Sequence, residues 1–196
     1  MHDAVTFSFR FILFALIHSF LASDASKKFC DTYLPTSMQR YYRLLYNLFS
    51  LLLFVWVMAI YPMPAVLYFI PGVWSLVCNA LQLAALVLLF RCAAQTGLAA
   101  LLGLHQPTVT ELCTSGCYAQ VRHPLYTLSV LFLALNPVMT VKWLLLTILS
   151  SAYFVMGAII EERRLEKEFG DVYRNYRRHV PMFVPQLTRG GKHRAS

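Results

Sequence analysis

The sequence predicts an all-α integral-membrane bundle of about five transmembrane helices, and three observations carry that expectation. Of its 196 residues, 58% are hydrophobic and only 13% charged, with a mean hydropathy of +0.56. Soluble domains carry about a quarter charged residues, and disordered chains need low hydrophobicity with dense charge, so both classes are excluded. Second, no Asp, Glu, Lys or Arg occurs between Arg43 and Arg91, a run of 47 residues, where one bilayer crossing takes about 20. Third, the uncharged runs Pro124–Val141 and Trp143–Ile160 are separated only by Lys142.

The first crossing is expected over Val5–Ser23. Arg10 interrupts it and can snorkel to the headgroups, leaving Phe11–Ser23 free of charge. A cleaved signal peptide is the rival, with Leu21-Ala22-Ser23 near its end, but His18 breaks its apolar core. The long run holds two helices, about Leu44–Tyr61 and Gly72–Phe90. Tyr61-Pro62-Met63-Pro64 and Pro71-Gly72 separate them, because proline removes a donor and clashes with helix continuation. Asn136-Pro137 marks the tip of a helical hairpin over 124–160.

Beyond it, Leu165, Phe169, Tyr173, Tyr176 and Val180 recur at helical period, while Arg163, Arg164, Lys167, Arg174, Arg177 and Arg178 occupy the other faces. This predicts a basic amphipathic surface helix over 161–180, loosened at Gly170 and ended by Val180-Pro181-Met182-Phe183-Val184-Pro185. The organisation expected is one membrane domain, with a three-helix part over 1–96 and a second part over 97–196. The sequence contains no internal repeat or low-complexity tract.

Fifteen of the seventeen basic residues fall in 24–43, 91–123 and 161–196, all on one side of a five-crossing chain. The positive-inside rule places that side in the cytoplasm and the amino terminus outside, in the inner membrane of a bacterial host. Anionic headgroups then account for the net charge of +8, and no nucleic-acid partner is expected.

The five cysteines, Cys30, Cys78, Cys92, Cys113 and Cys117, do not read as a disulfide framework. Cys78 falls in an apolar span and the others on or near the expected cytoplasmic face, where thiols stay reduced. Cys113-x3-Cys117 with His105 and His123 offers zinc-type ligands at an unconvincing spacing, so no metal is expected.

Most reactive side chains lie after Gly97. Thr114-Ser115-Gly116-Cys117-Tyr118 reads as a turn, followed by Arg122-His123-Pro124-Leu125-Tyr126 at a helix start, where Pro124 suits the first turn. Arg122 and His123 sit at a helix mouth that favours an anion. Antiparallel packing of the hairpin brings Glu161-Glu162 to the same face, so an anion-binding and a cation-binding corner converge, which suits a zwitterion. Interfacial anchoring of the helix ends explains the same positions equally well.

The ordered set Gly116-x-Tyr118, Arg122-His123-Pro124-x-Tyr126, Glu161-Glu162-x-x-Leu165, Phe169-Gly170-x-x-Tyr173-x-x-Tyr176 and Val180-Pro181-x-x-x-Pro185 resembles the isoprenylcysteine carboxyl methyltransferase-like superfamily of membrane methyltransferases, which includes phospholipid methyltransferase-like proteins. It covers about the last 85 residues. His18-Ser19-x-Leu21-Ala22-Ser23 and Arg40-Tyr41-Tyr42-Arg43-Leu44-Leu45-Tyr46-Asn47 are similar to the nurim, NnrU-like and methanethiol S-methyltransferase branches. Met182 departs from the pattern, relatives often carrying a basic residue there.

The resemblance implies S-adenosyl-L-methionine in a cytoplasmic pocket of the carboxyl-terminal part, with 1–96 on the acceptor side. Arg122 and His123 would take its carboxylate and Glu161 or Glu162 its ammonium, with Pro124 setting the helix mouth. Tyr118 and Tyr126 would face the adenine, and Gly116 would permit close backbone approach. An amphiphilic or small apolar acceptor, a carboxylate, thiol or amine, would enter from the lipid bilayer. His18, Tyr173 and Tyr176 are its candidate contacts, and His123 or His18 the base for a protonated acceptor. A sterol-reductase-like NADPH enzyme is the chief alternative, against which stand the crossing number and the Glu161-Glu162 pair. A non-catalytic nurim-like or NnrU-like membrane protein is the other. Transporters are disfavoured by the lack of repeated intramembrane charge.

Overall fold

The computed structural model describes residues 2–59, 65–97 and 112–185. Its helices are α1 (His2–Ala22), α2 (Asp24–Tyr33), α3 (Thr36–Ala59), α4 (Val73–Gln95), α5 (Pro124–Ala134), α6 (Val141–Phe169) and α7 (Asp171–His179). Between them lie two short strands, β1 (Val66–Phe69) and β2 (Val138–Thr140), and a 3-10 turn over Gly116–Ala119. The protein is an all-α membrane bundle.

Local chemistry sets the boundaries. Ser23 is extended and its Oγ accepts the Ser26 N–H at 3.3 Å, which ends α1 and caps α2. Leu34, held extended ahead of Pro35, closes α2. Gly72, at φ +63°, turns the chain from β1 into α4. Thr140 caps α6 by accepting the Trp143 N–H at 3.2 Å.

α1, α4, α6 and the Tyr41–Ala59 part of α3 are each long and apolar enough to cross a bilayer. The fifth expected crossing, over Pro124–Val141, is helical only over Pro124–Ala134, and these 11 residues span about 16 Å, half a hydrocarbon core. Asn136-Pro137 stops the helix early and β2 takes up the remainder. There it pairs antiparallel with β1, Phe69 opposite Val138 and Val66 opposite Thr140. The pairing puts the α3–α4 and α5–α6 connections at one end of the bundle, and four helices among the described residues, not five, have the length to span a bilayer. Tyr61-Pro62-Met63-Pro64, expected to form the first of these turns, lies outside the described residues.

The carboxyl-terminal helix also differs from expectation. α6 continues through Glu161 and Glu162 to Phe169, so there is no single surface helix over 161–180. Gly170 adopts φ +54°, a conformation other L-residues avoid, and breaks the stripe into two helices rather than loosening one.

α1 packs on α3 and α6, and α4 packs along α5. Phe7, Phe11, Val57 and Leu146 form the buried centre, with Phe14, Phe54, Trp143 and Tyr153 around it. Arg10 lays its guanidinium 4.4 Å from the centre of the Trp56 ring, so the intramembrane charge rests on an aromatic face. Outward positions such as Val5, Leu52, Trp74, Leu83 and Ile160 are large, apolar and exposed, as lipid contact requires.

Cys92 and Cys117 form a disulfide, contrary to the expectation of reduced thiols. The 3-10 turn lies against the last turns of α4, which brings together two cysteines 25 residues apart. Spacing and compartment carry no trace of that proximity. Cys117 is thereby removed from the conceivable zinc set, and His105 lies outside the described residues.

Candidate active site

The hairpin does bring Arg122, His123, Glu161 and Glu162 together. Arg122 Nε donates to Glu162 Oε1 at 2.7 Å, and its Nη1 donates to the Val180 carbonyl at 2.6 Å and the Arg177 carbonyl at 3.1 Å. His123 Nε2 lies 3.2 Å from the same Glu162 oxygen, and its Nδ1 lies 3.7 Å from Glu161 Oε2. The Tyr126 hydroxyl donates to Glu161 Oε2 at 3.1 Å. These contacts cross from α5 to α6 because the start of one antiparallel helix faces the end of the other.

The segment after α7 completes the corner. The Arg122 and His123 N–H groups donate to the Pro181 and Met182 carbonyls at 2.9 and 3.1 Å, and Thr127 Oγ1 to the Phe183 carbonyl at 3.0 Å. Val180–Phe183 therefore runs along the mouth of α5, and Met182 contributes its backbone. Arg122 commits its Nε to Glu162 and its Nη1 to two carbonyls. The cluster sets two carboxylates against one guanidinium, with the His123 imidazole between them. The carboxylates differ in exposure: the Glu162 side chain is 10% exposed, the Glu161 side chain 37%. Glu161 is the carboxylate that an incoming cation meets.

Aromatic rings wall the cluster. His123 stacks on Tyr126 with centroids 5.5 Å apart, and Tyr126 stacks on Phe154 at 5.0 Å, both nearly parallel. Pro124 is buried at the first turn of α5. The Tyr126 hydroxyl lies beside Gly157 of α6.

The remaining sequence candidates separate into two places. Tyr173 and Tyr176 lie on α7 near the Arg122–Glu162 pair, where Tyr173 is buried and the Tyr176 hydroxyl donates to the Tyr118 carbonyl at 2.6 Å. Burial, then the nearby Glu162 charge, raises the Tyr173 phenol pKa; burial likewise raises those of Tyr176 and Tyr118. His18 sits elsewhere, in the bundle interior, so the three candidates for acceptor contact do not form one group. Gly116, at φ +59°, makes its close approach to the Gln95 side chain of α4, whose Oε1 accepts the Cys117 N–H at 3.1 Å. Its positive φ and the nearby Gln95 side chain shape the turn.

Sequence reasoning did not find Ser50, whose Oγ lies 2.8 Å from His18 Nδ1, nor Tyr153 and Phe154. A serine inside a 47-residue uncharged run was the available signal for Ser50. His18, Tyr153 and Phe154 line a cavity of about 350 Å³ enclosed by α1, α3, α4, α5 and α6.

No family model matches the chain, and no solved structure does. Among known proteins, it is 33% identical over 184 residues to methanethiol S-methyltransferase 2 of Bradyrhizobium diazoefficiens, covering 89% of this chain and 70% of that protein. Methanethiol S-methyltransferase 1 of the same bacterium is 30% identical over 88% of this chain and 64% of its own length. The Mycobacterium tuberculosis methanethiol S-methyltransferase is 31% identical over 88% of this chain and 74% of its own. The matches cover nearly nine-tenths of the chain, and the chain belongs to the methanethiol S-methyltransferase family, within the isoprenylcysteine carboxyl methyltransferase-like branch of membrane methyltransferases.

Proposed function

We propose that the protein transfers a methyl group from S-adenosyl-L-methionine to a small apolar thiol of the methanethiol class. The observation that carries this reading is the cluster of Arg122, His123, Glu161 and Glu162, which turns the Glu161 carboxylate outward and is joined through Tyr126 and Phe154 to an apolar cavity. The cofactor has two cationic groups and one carboxylate, so its cationic part complements Glu161. The polyphosphate of NADPH is repelled by that carboxylate.

When bound, the cofactor supplies an electrophilic methyl group. Glu161 faces its cationic part, and the Glu162–Arg122 pair holds α5, α6 and the Val180–Phe183 segment in register around it. His123, Tyr126 and Tyr118 offer flat surfaces to the adenine. The apolar helices exclude water, which favours a displacement in which charge is neutralised. The cluster occupies the cytoplasmic face and the acceptor arrives from the lipid bilayer, consistent with the basic residues at that end.

Calorimetric titration of the full chain in nanodiscs, with S-adenosylhomocysteine and separately with NADPH, tests the cofactor. Saturable binding of the first alone is expected. Glu161→Gln weakens it about 10- to 100-fold, the worth of one hydrogen bond to a charged group. Headspace detection of dimethyl sulfide from methanethiol tests the acceptor. Binding of NADPH in place of S-adenosylhomocysteine would sink the reading.

A further inference from the structure

The cavity among the helices has one polar wall that the cluster does not explain. His18 on α1 and Ser50 on α3 are joined at 2.8 Å between Nδ1 and Oγ, inside two predominantly apolar spans. Buried polar pairs in a membrane cost stability unless they serve a site. The His18 ring is fixed on three further sides. It stacks on Phe14 at 5.7 Å and meets the edges of Tyr46 and Tyr153 at 6.1 and 6.4 Å. Tyr153 is itself tied to α1 through Ser19 Oγ, 3.1 Å from its hydroxyl. The titratable groups facing the ring are thus the Tyr46 phenol on α3 and the Tyr153 phenol on α6.

The cavity and the charged corner share a wall. Tyr153 and Phe154 line the cavity, and Phe154 stacks on Tyr126, whose hydroxyl reaches Glu161. A small molecule held beside His18 therefore lies against Tyr153 and Phe154, the rings that lead to the cluster.

We infer that this cavity is the acceptor site and that His18, held by Ser50, is the base that takes the proton of a thiol acceptor. The inference rests on the methyltransferase reading above. With Nδ1–H donating to Ser50 Oγ, Nε2 carries a lone pair. The acceptor S–H bond breaks as its proton passes to Nε2, and the sulfur electron pair forms the new bond to the methyl carbon. The bond from that carbon to the donor sulfonium breaks, its electrons leaving the donor as a neutral thioether. His18 then returns its proton to water, so each turnover releases one proton. A base is needed because a thiol is largely protonated at neutral pH and an apolar site disfavours the free thiolate further.

The test uses the full chain in nanodiscs with S-adenosyl-L-methionine and either methanethiol or methaneselenol, whose selenol is already ionised at neutral pH. His18→Gln is expected to lower kcat for the thiol by about 10²- to 10⁴-fold, leave S-adenosylhomocysteine affinity unchanged and lose far less rate with the selenol. Activity of the variant towards the thiol rises with pH as thiolate accumulates. Ser50→Ala gives a smaller loss in the same direction, and Ser129→Phe, which fills the cavity, raises KM for both acceptors. Equal loss of thiol and selenol activity overturns the inference, as does wild-type kcat in His18→Gln. If His18→Gln fails to fold, the thiol-to-selenol ratio of Ser50→Ala decides the same question. Failure of the wild-type protein to bind S-adenosylhomocysteine would instead defeat the cofactor reading on which the inference rests.

Discussion

Removing one partner of the Arg122–Glu162 pair should destabilise the protein more than removing both. Arg122 makes three hydrogen bonds, to the Glu162 carboxylate and to the Val180 and Arg177 carbonyls, and both side chains are about nine-tenths buried. Arg122→Met leaves a desolvated carboxylate without its guanidinium, beside only His123 and the Tyr173 phenol. Breaking a buried pair from one side costs about 3–5 kcal/mol. At about 2–4 °C per kcal/mol for a chain of this size, Tm should fall by roughly 6–20 °C. Glu162→Met should cost a similar amount, whereas Arg122→Met with Glu162→Met leaves no orphan charge and should recover much of the loss. Intrinsic tryptophan fluorescence during heating in nanodiscs reads all three. Single variants within 2 °C of wild type, or a double variant as unstable as the sum of the singles, would refute the assignment of this pair as the brace of the corner.

Three further outcomes follow from the geometry. Gly116→Ala puts a Cβ into the Gln95 side chain at a positive φ and should cost about 1–3 kcal/mol, read as a lower Tm with weaker S-adenosylhomocysteine binding. Opening the Cys92–Cys117 link, which closes a separation of 25 residues, should lower stability by about 3 kcal/mol; Tm with and without reductant measures it, and Cys92→Ser should abolish the reductant effect. Burial raises the folded pKa of Tyr173 and Tyr176, so their contribution is complete below the unfolded phenol value of about 10 and is lost as pH rises above it. Tm should therefore fall above about pH 10, and Tyr173→Phe with Tyr176→Phe should flatten that fall.

The membrane class was legible because composition and long uncharged runs are properties of the chain as a whole. The meeting of Arg122 and His123 with Glu161 and Glu162 was legible from hairpin geometry alone, since antiparallel helices must place those ends side by side. Which group satisfies which was not. The Arg122 guanidinium is taken by Glu162 and by carbonyls some 55 to 58 residues away, a long-range matter on which side-chain type is silent. The strand Val66–Phe69 was hidden because every residue around it is apolar, which erases the alternation that marks a strand. Gly170 was visible as a weak point of a helix, but only its positive φ turns weakness into a break. The Cys92–Cys117 bond was missed because compartment was used to infer redox state, and compartment says nothing of which turns touch.

The paired strands carry a mechanical consequence. β1 and β2 stitch the α3–α4 connection to the α5–α6 connection at one end of the bundle, while Cys92–Cys117 rivets α4 to the turn ahead of α5 at the other. α4 and α5 are thus fastened top and bottom, like two staves under two hoops. α1 has neither fastening among the described residues. It leans on its neighbours through ring packing and through single hydrogen bonds such as His18 to Ser50 and Ser19 to Tyr153. Its flank is the side of the bundle held, among the described residues, by side-chain contacts rather than by strand pairing or a covalent link.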